Sequence, residues 1–224
     1  MKKLYILALS AFAISSVNAQ TYLAKDFDDN SATSGGWTIQ DVSNGDGITT
    51  WTTSTAGGAP DAYGMMKNYY NSANSVVESW LISPAMDLST STTPLLSFKT
   101  AVAFDGDAVE VFISTDYDGT SDPTSQGVWT TLNPTLALNS GTWFEWVSSG
   151  NVDLSSYNTT DVYIAIKYTG SAVDGSTFEI DDILVNETGA VIPPSLSIYD
   201  IQYTVAVNGD SPEDGNTVIT GGIV

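Results

Sequence analysis

The stretch Val162-Tyr163-Ile164-Ala165-Ile166-Lys167-Tyr168 decides the fold class. Val162, Ile164, Ile166 and Tyr168 alternate with Tyr163, Ala165 and Lys167, the period of a strand with one face in a core. Upstream, Val109, Val111 and Ile113 alternate with Glu110 and Ser114 in the same way. Leu96, Phe98, Val102 and Phe104 read as one face of a longer strand, with Lys99 on the other face pointing to solvent. Val76, Trp80 and Ile82 mark another strand. Trp143-Phe144-Glu145-Trp146-Val147 is too aromatic for a loop and too short for a helix, so it too reads as a strand. Between these runs lie Asn44-Gly45-Asp46-Gly47, Gly57-Gly58, Asp105-Gly106, Asp118-Gly119 and Asp174-Gly175, all with turn chemistry. No long stretch has the 3.6-residue period of a helix. The pattern predicts an all-β jelly-roll sandwich of antiparallel strands.

Composition narrows the chemistry. The 224 residues carry 26 acids and six lysines, with no arginine, histidine or cysteine, for a net charge of −20. Nucleic acids and anionic membranes are polyanions that such a chain repels. Without Cys or His there is no thiol nucleophile, no disulfide, no usual zinc site and no Ser-His-Asp triad. Aromatics make up 11% of the chain, which sets it apart from acidic disordered sequences.

Met1-Lys2-Lys3, the apolar run Leu4 to Ile14, and Val17-Asn18-Ala19 have the three parts of a cleavable secretory signal over residues 1–19. The run is well short of the ~20 apolar residues that span a bilayer, and no later segment predicts membrane insertion. Cleavage after Ala19 would remove two lysines, leaving 26 acids against four lysines, a net −22. The expected destination is the outside of the cell or its outer surface. A domain is expected over 20–186 and a Pro-containing linker over 187–195. Residues 196–224 read as the start of a second β-rich module, too short for its own core. The apolar end of the chain predicts that the natural product continues or that this is a fragment.

Three acidic clusters fall at strand ends: Asp26-Phe27-Asp28-Asp29, Asp105-Gly106-Asp107, and Asp181-Asp182 within Glu179-Ile180-Asp181-Asp182-Ile183. Carboxylates are the ligands of a hard cation, and in regular pairing Asp181 and Asp182 cannot both face water. With arginine absent and lysine scarce, Ca²⁺ is the expected counter-charge, and Asp26, Asp28, Asp105, Asp107, Asp181 and Asp182 its candidate ligands. Solvated turn caps are the alternative, and at Asp105 and Asp107 both readings stay open. Asp116 to Asp122 superficially suggests an EF-hand, but Gly119 and Gly127 fall at the wrong loop positions, so a solvated hairpin tip is expected. Most tryptophans should be core. Trp51 and Trp129, beside Thr, Ser and Gly, are the candidates for a surface platform that stacks on sugar rings.

Thr21 to Val185 resembles the choice-of-anchor J, or cleaved-adhesin, family of secreted and surface proteins of Bacteroidetes-type bacteria. The resemblance rests on stations in order: Asp26-Phe27-Asp28, Gly36-Trp37, Asp46-Gly47 with Trp51, Glu78-Ser79-Trp80-Leu81-Ile82-Ser83-Pro84, Val109 to Gly119, Val152 to Tyr157, Val162 to Tyr168, and Phe178 to Ile183. It implies a jelly roll with structural Ca²⁺ and an adhesive or accessory role without a catalytic site. Ser197 to Tyr203 and Val218 to Val224 resemble the opening of an OB-like module that precedes nuclease or lamin-tail domains in exported bacterial proteins.

The expected function is therefore a secreted or cell-surface adhesion module that is not an enzyme. Its expected partners are host or environmental glycans or surface proteins. The alternatives are a carbohydrate-binding accessory module of a larger secreted enzyme, and the N-terminal part of an exported nuclease-type protein.

Overall fold

The computed structural model describes residues 20–56 and 61–187. The expected signal peptide, the turn at Gly57-Gly58, the linker beyond Glu187 and the C-terminal module lie outside the described residues. Fourteen strands follow one another: β1 (Thr21–Lys25), β2 (Thr38–Asn44), β3 (Thr52–Ser54), β4 (Tyr63–Lys67), β5 (Tyr69–Tyr70), β6 (Ala73–Asn74), β7 (Val77–Ile82), β8 (Pro94–Ala103), β9 (Glu110–Ser114), β10 (Thr130–Leu132), β11 (Val147–Ser148), β12 (Val152–Asp153), β13 (Tyr163–Gly170) and β14 (Thr177–Glu187). One sheet has the order β11-β8-β14-β4-β3, with β1 added to β14 and β12 to β8. The other has the order β10-β9-β13-β7-β2. The small hairpin β5-β6 stands apart. All pairs of these strands are antiparallel.

Both sheets bury one face in a shared core, as the alternation of β13 predicts. Ile164, Ile166 and Tyr168 face Leu96, Phe98, Phe178 and Ile180 across the sandwich. The chain passes directly from sheet to sheet at β1–β2, β2–β3, β7–β8, β8–β9, β10–β11, β12–β13 and β13–β14, the connectivity of a jelly roll. Asn68, fully buried, ties three loop carbonyls together: its Nδ2 lies 2.9 Å from Ser75 O, 2.8 Å from Ser171 O and 3.1 Å from Asp174 O. Gly175 passes so close to Asn68 that any Cβ there would collide with its side chain.

Three strand expectations change. β8 ends at Ala103, and Phe104 leaves the core face with φ 68°, so its ring stands in solvent at 47% exposure. Val76 precedes β7 and is exposed, while Trp80 and Ile82 lie in an apolar cluster separate from the main core. The run from Trp143 to Trp146 is a turn rather than a strand, with Phe144 at φ 57°. Strand pairing resumes only at Val147.

Candidate functional site

The side of β4, β8 and β14 turned away from the core carries the most distinctive chemistry of the molecule. Alternation places Tyr63, Met65 and Lys67 there from β4, and Thr177, Glu179 and Asp181 from β14. Lys99, Ala101 and Ala103 face the same way from β8, opposite Asp181, Glu179 and Thr177. The two alanines leave room for the aromatic turn. That turn is tied down where Phe144 N–H donates to the Val102 carbonyl at 3.0 Å. Trp146 meets Tyr63 edge-on with ring centres 5.7 Å apart, and the Lys99 ammonium lies 5.2 Å from the Trp146 ring centre. Trp143, 57% exposed, packs on Phe104 at 4.8 Å.

Between the turn and the sheet lies an open groove of about 250 Å³, lined by Tyr63, Met65, Phe104, Phe144 and Trp146, with Lys67 and Glu179 as its charged groups. Tyr63 is fixed by its hydroxyl, which donates to the Ala56 carbonyl at 2.9 Å. Glu179 is only 5% exposed. Burial pushes its carboxyl up to about 7, against the opposing pull of the Tyr63 hydroxyl. Aromatic faces beside a carboxyl and an ammonium suit a polyhydroxylated ligand: the rings cover its C–H faces and the polar groups bond its hydroxyls.

At the edge of this face the third acidic cluster is resolved by a bulge. The β14–β8 register shifts between Asp181 and Leu184, and Asp182 takes φ 53°. Both carboxylates therefore reach one lysine: Lys99 Nζ is 3.2 Å from Asp181 Oδ2 and 2.8 Å from Asp182 Oδ2. Lys99, expected free in solvent, is the counter-charge. Burial still raises Asp181 to about 6, outweighing hydrogen bonds from Asp182 N–H and Lys99. For Lys99 the order reverses: burial works against its charge, but Asp182 and Asp181 together raise its pKa.

The other expected ligands of Ca²⁺ do not join this pair. Asp26 and Asp28 are exposed, and Asp26 Oδ1 accepts the Asp28 N–H at 3.2 Å. Asp105 and Asp107 are exposed on the turn after β8, where Asp105 Oδ1 accepts from Asn139 Nδ2 at 2.9 Å. Among the described residues no three carboxylates converge as a metal site would need. Asp118 closes its own turn, accepting from Ser121 N–H at 2.8 Å, which is the hairpin tip expected there.

Neither expected tryptophan lines the groove. Trp51 is buried in the sandwich core at 2% exposure, its Nε1–H donating to the Ser79 carbonyl at 3.3 Å. Its small polar neighbours, Thr49 and Thr50 before it and Thr52 to Ser54 after it, do not report on the ring. Trp129 is half-buried against Trp80 and Tyr117 on the outside of the other sheet. Trp146 is the tryptophan that lines the groove, in the aromatic run that follows Ser140 and Gly141.

This fold is shared with known adhesin domains. The K3 cleaved adhesin domain of Lys-gingipain from Porphyromonas gingivalis W83 is similar at TM-score 0.52 and 18% identity, covering 76% of this chain and 100% of that one. The K1 domain of the same protein is similar at TM-score 0.52 and 19% identity, over 76% and 100%. Residues 85–190 match the model of a family described as a domain of unknown function (DUF5017). No curated protein matches the chain.

Proposed function

We propose that the chain is an exported, non-catalytic binding module whose groove on the outside of the β4-β8-β14 sheet holds a glycan. The observation that carries this reading is the groove itself: Phe104, Phe144 and Trp146 stand over a sheet face whose floor is buried Tyr63 and Glu179, with Trp146 held against Tyr63. Phe104 in solvent and half-buried Phe144 and Trp146 leave apolar surface in contact with water, which stability alone does not favour; recognition is the use assigned to it. Asp181, the other buried carboxyl of this face, is engaged by Lys99 and does not line the groove, so no pair of free carboxyls faces a ligand there.

The reading is tested on a glycan microarray with the full chain and its Trp146→Ala variant. The expected result is a set of glycans bound by the chain and lost in the variant. Binding to no glycan, or equal binding by both proteins, overturns it. Export is tested by N-terminal sequencing of the chain secreted from a homologous host, where Gln20 is the expected first residue.

A further inference from the structure

The groove does not stop at Lys67. A second depression of about 250 Å³ continues on the other side of Met65 and Lys67, lined by Ile48, Thr49, Thr52, Tyr69 and Tyr70. Met65 and Lys67 border both depressions, which therefore lie side by side across β14, β4 and β3. Neighbouring strands lie ~4.8 Å apart, so the combined path suits several units of a chain and not one isolated sugar. Its far end is aromatic again, with Tyr69 54% and Tyr70 45% exposed.

The charge at the junction is the informative part. Lys25 is paired with Asp29, Lys99 with Asp181 and Asp182, and Lys167 with Glu110. Each of these three also lies over an aromatic ring. Among the described residues Lys67 is the lysine without a carboxylate partner, in a chain with 26 acids to choose from. It is exposed, stands opposite Thr177 on β14, and makes no ion pair with Glu179 in the same groove.

We infer that the ligand is a linear glycan spanning both depressions, with an anionic group, a uronate carboxylate or a sulfate ester, on the sugar seated at Lys67. This rests on the glycan-binding reading above. The strong negative charge of the whole chain repels a densely charged polymer at long range, so the complementary ligand is mostly neutral with isolated acidic units.

Isothermal titration of the full chain with linear hexasaccharides tests this. The probes are neutral xylohexaose, the same hexaose carrying one glucuronic acid, and one carrying one sulfate ester. The expected result is at least tenfold tighter binding of one charged probe than of the neutral one. In Lys67→Met, which keeps the apolar stem, that ratio falls toward one while Tm is unchanged. Tyr70→Ala should remove the gain in affinity from trisaccharide to hexasaccharide. Equal binding of charged and neutral probes, or a ratio that survives Lys67→Met, overturns the anionic assignment and leaves the glycan reading standing. If no glycan on the microarray and no hexasaccharide binds, both fall together.

Discussion

Lys99 and Asp181 stand directly opposite each other on β8 and β14, with the lysine ammonium 3.2 Å from the buried carboxylate and 5.2 Å from the ring centre of Trp146. One side chain thus neutralises the inner acid of the Asp-Asp pair and braces the aromatic wall of the groove. Its removal leaves Asp181, 2% exposed, without a cation. Lys99→Met should cost about 2 kcal/mol, below the 3–5 kcal/mol of a fully buried pair because Lys99 keeps some contact with water. Asp182→Asn, at the exposed partner, should cost roughly 0.5 kcal/mol or less. Urea denaturation at pH 7 measures both. The Lys99→Met loss should shrink below pH 6, where Asp181 takes up a proton.

Lys99 supplies a counter-charge to both carboxylates of the Asp181-Asp182 pair. Since Lys99 already bridges Asp181 and Asp182, thermal melts in millimolar CaCl₂ and in EGTA should give the same Tm. A drop of several degrees in EGTA would show that a divalent ion does hold the acidic ends of the strands.

Stability should depend on pH in two opposing ways. Glu179 and Asp181 have folded-state pKa values of about 7 and about 6, above their unfolded values. The folded chain therefore binds more protons than the unfolded one between about pH 4 and 7, and stability falls as pH rises through that window. Asp46 and Asp118 are lowered to about 2, chiefly by the hydroxyls of Thr49 and Ser121. Their contribution is present above pH 4 and lost as pH falls toward 2. Tm should therefore peak near pH 4 to 5, and Glu179→Gln should flatten the neutral side of the peak. A Tm that rises steadily from pH 4 to 7 would contradict this.

Asn68 is a structural tie, and its loss should show in stability. Asn68→Ala leaves three loop carbonyls short of a donor inside the protein. The expected cost is about 2–4 kcal/mol, read by chemical denaturation, with part of it recovered in Asn68→Gln only if the loops can shift.

Two tryptophans separate binding from folding. Trp51→Ala empties a fully buried core position and should cost about 3–5 kcal/mol. Trp146→Ala, in a half-buried wall, should cost roughly 1–2 kcal/mol and abolish glycan capture.

The sandwich was legible because alternation is a local property: β13 and β9 can be read residue by residue from Val162 to Tyr168 and from Val109 to Ser114. The site was less so, for physical reasons that can be named. The expected strand at 143–147 turns over at Phe144, and the expected core residue Phe104 swings outward, each through a left-handed backbone that carries no glycine to announce it. That Asp181 and Asp182 do not both face water was legible, but their orientation depends on a bulge set by pairing with β8, information held in another strand. For the same reason the alternation of β8 alone does not show that Lys99 meets this pair. The sequence neighbours of Trp51 and Trp129 do not report on the rings, whose burial is decided by what packs on them from β7 and the 115–128 loop.

The six tryptophan indole N–H groups fall in pairs: Trp37 and Trp51 report on the core, Trp80 and Trp129 on the outside of the other sheet, and Trp143 and Trp146 on the aromatic turn at the groove. The most direct measurement is their two-dimensional ¹⁵N NMR spectrum as the full chain is titrated with the hexasaccharide it binds most tightly. Trp146 and neighbouring Trp143 should shift together, while buried Trp37 and Trp51 stay still. Movement of Trp129 and Trp80 with Trp146 unmoved would place the ligand on the opposite sheet and contradict the groove as the binding site.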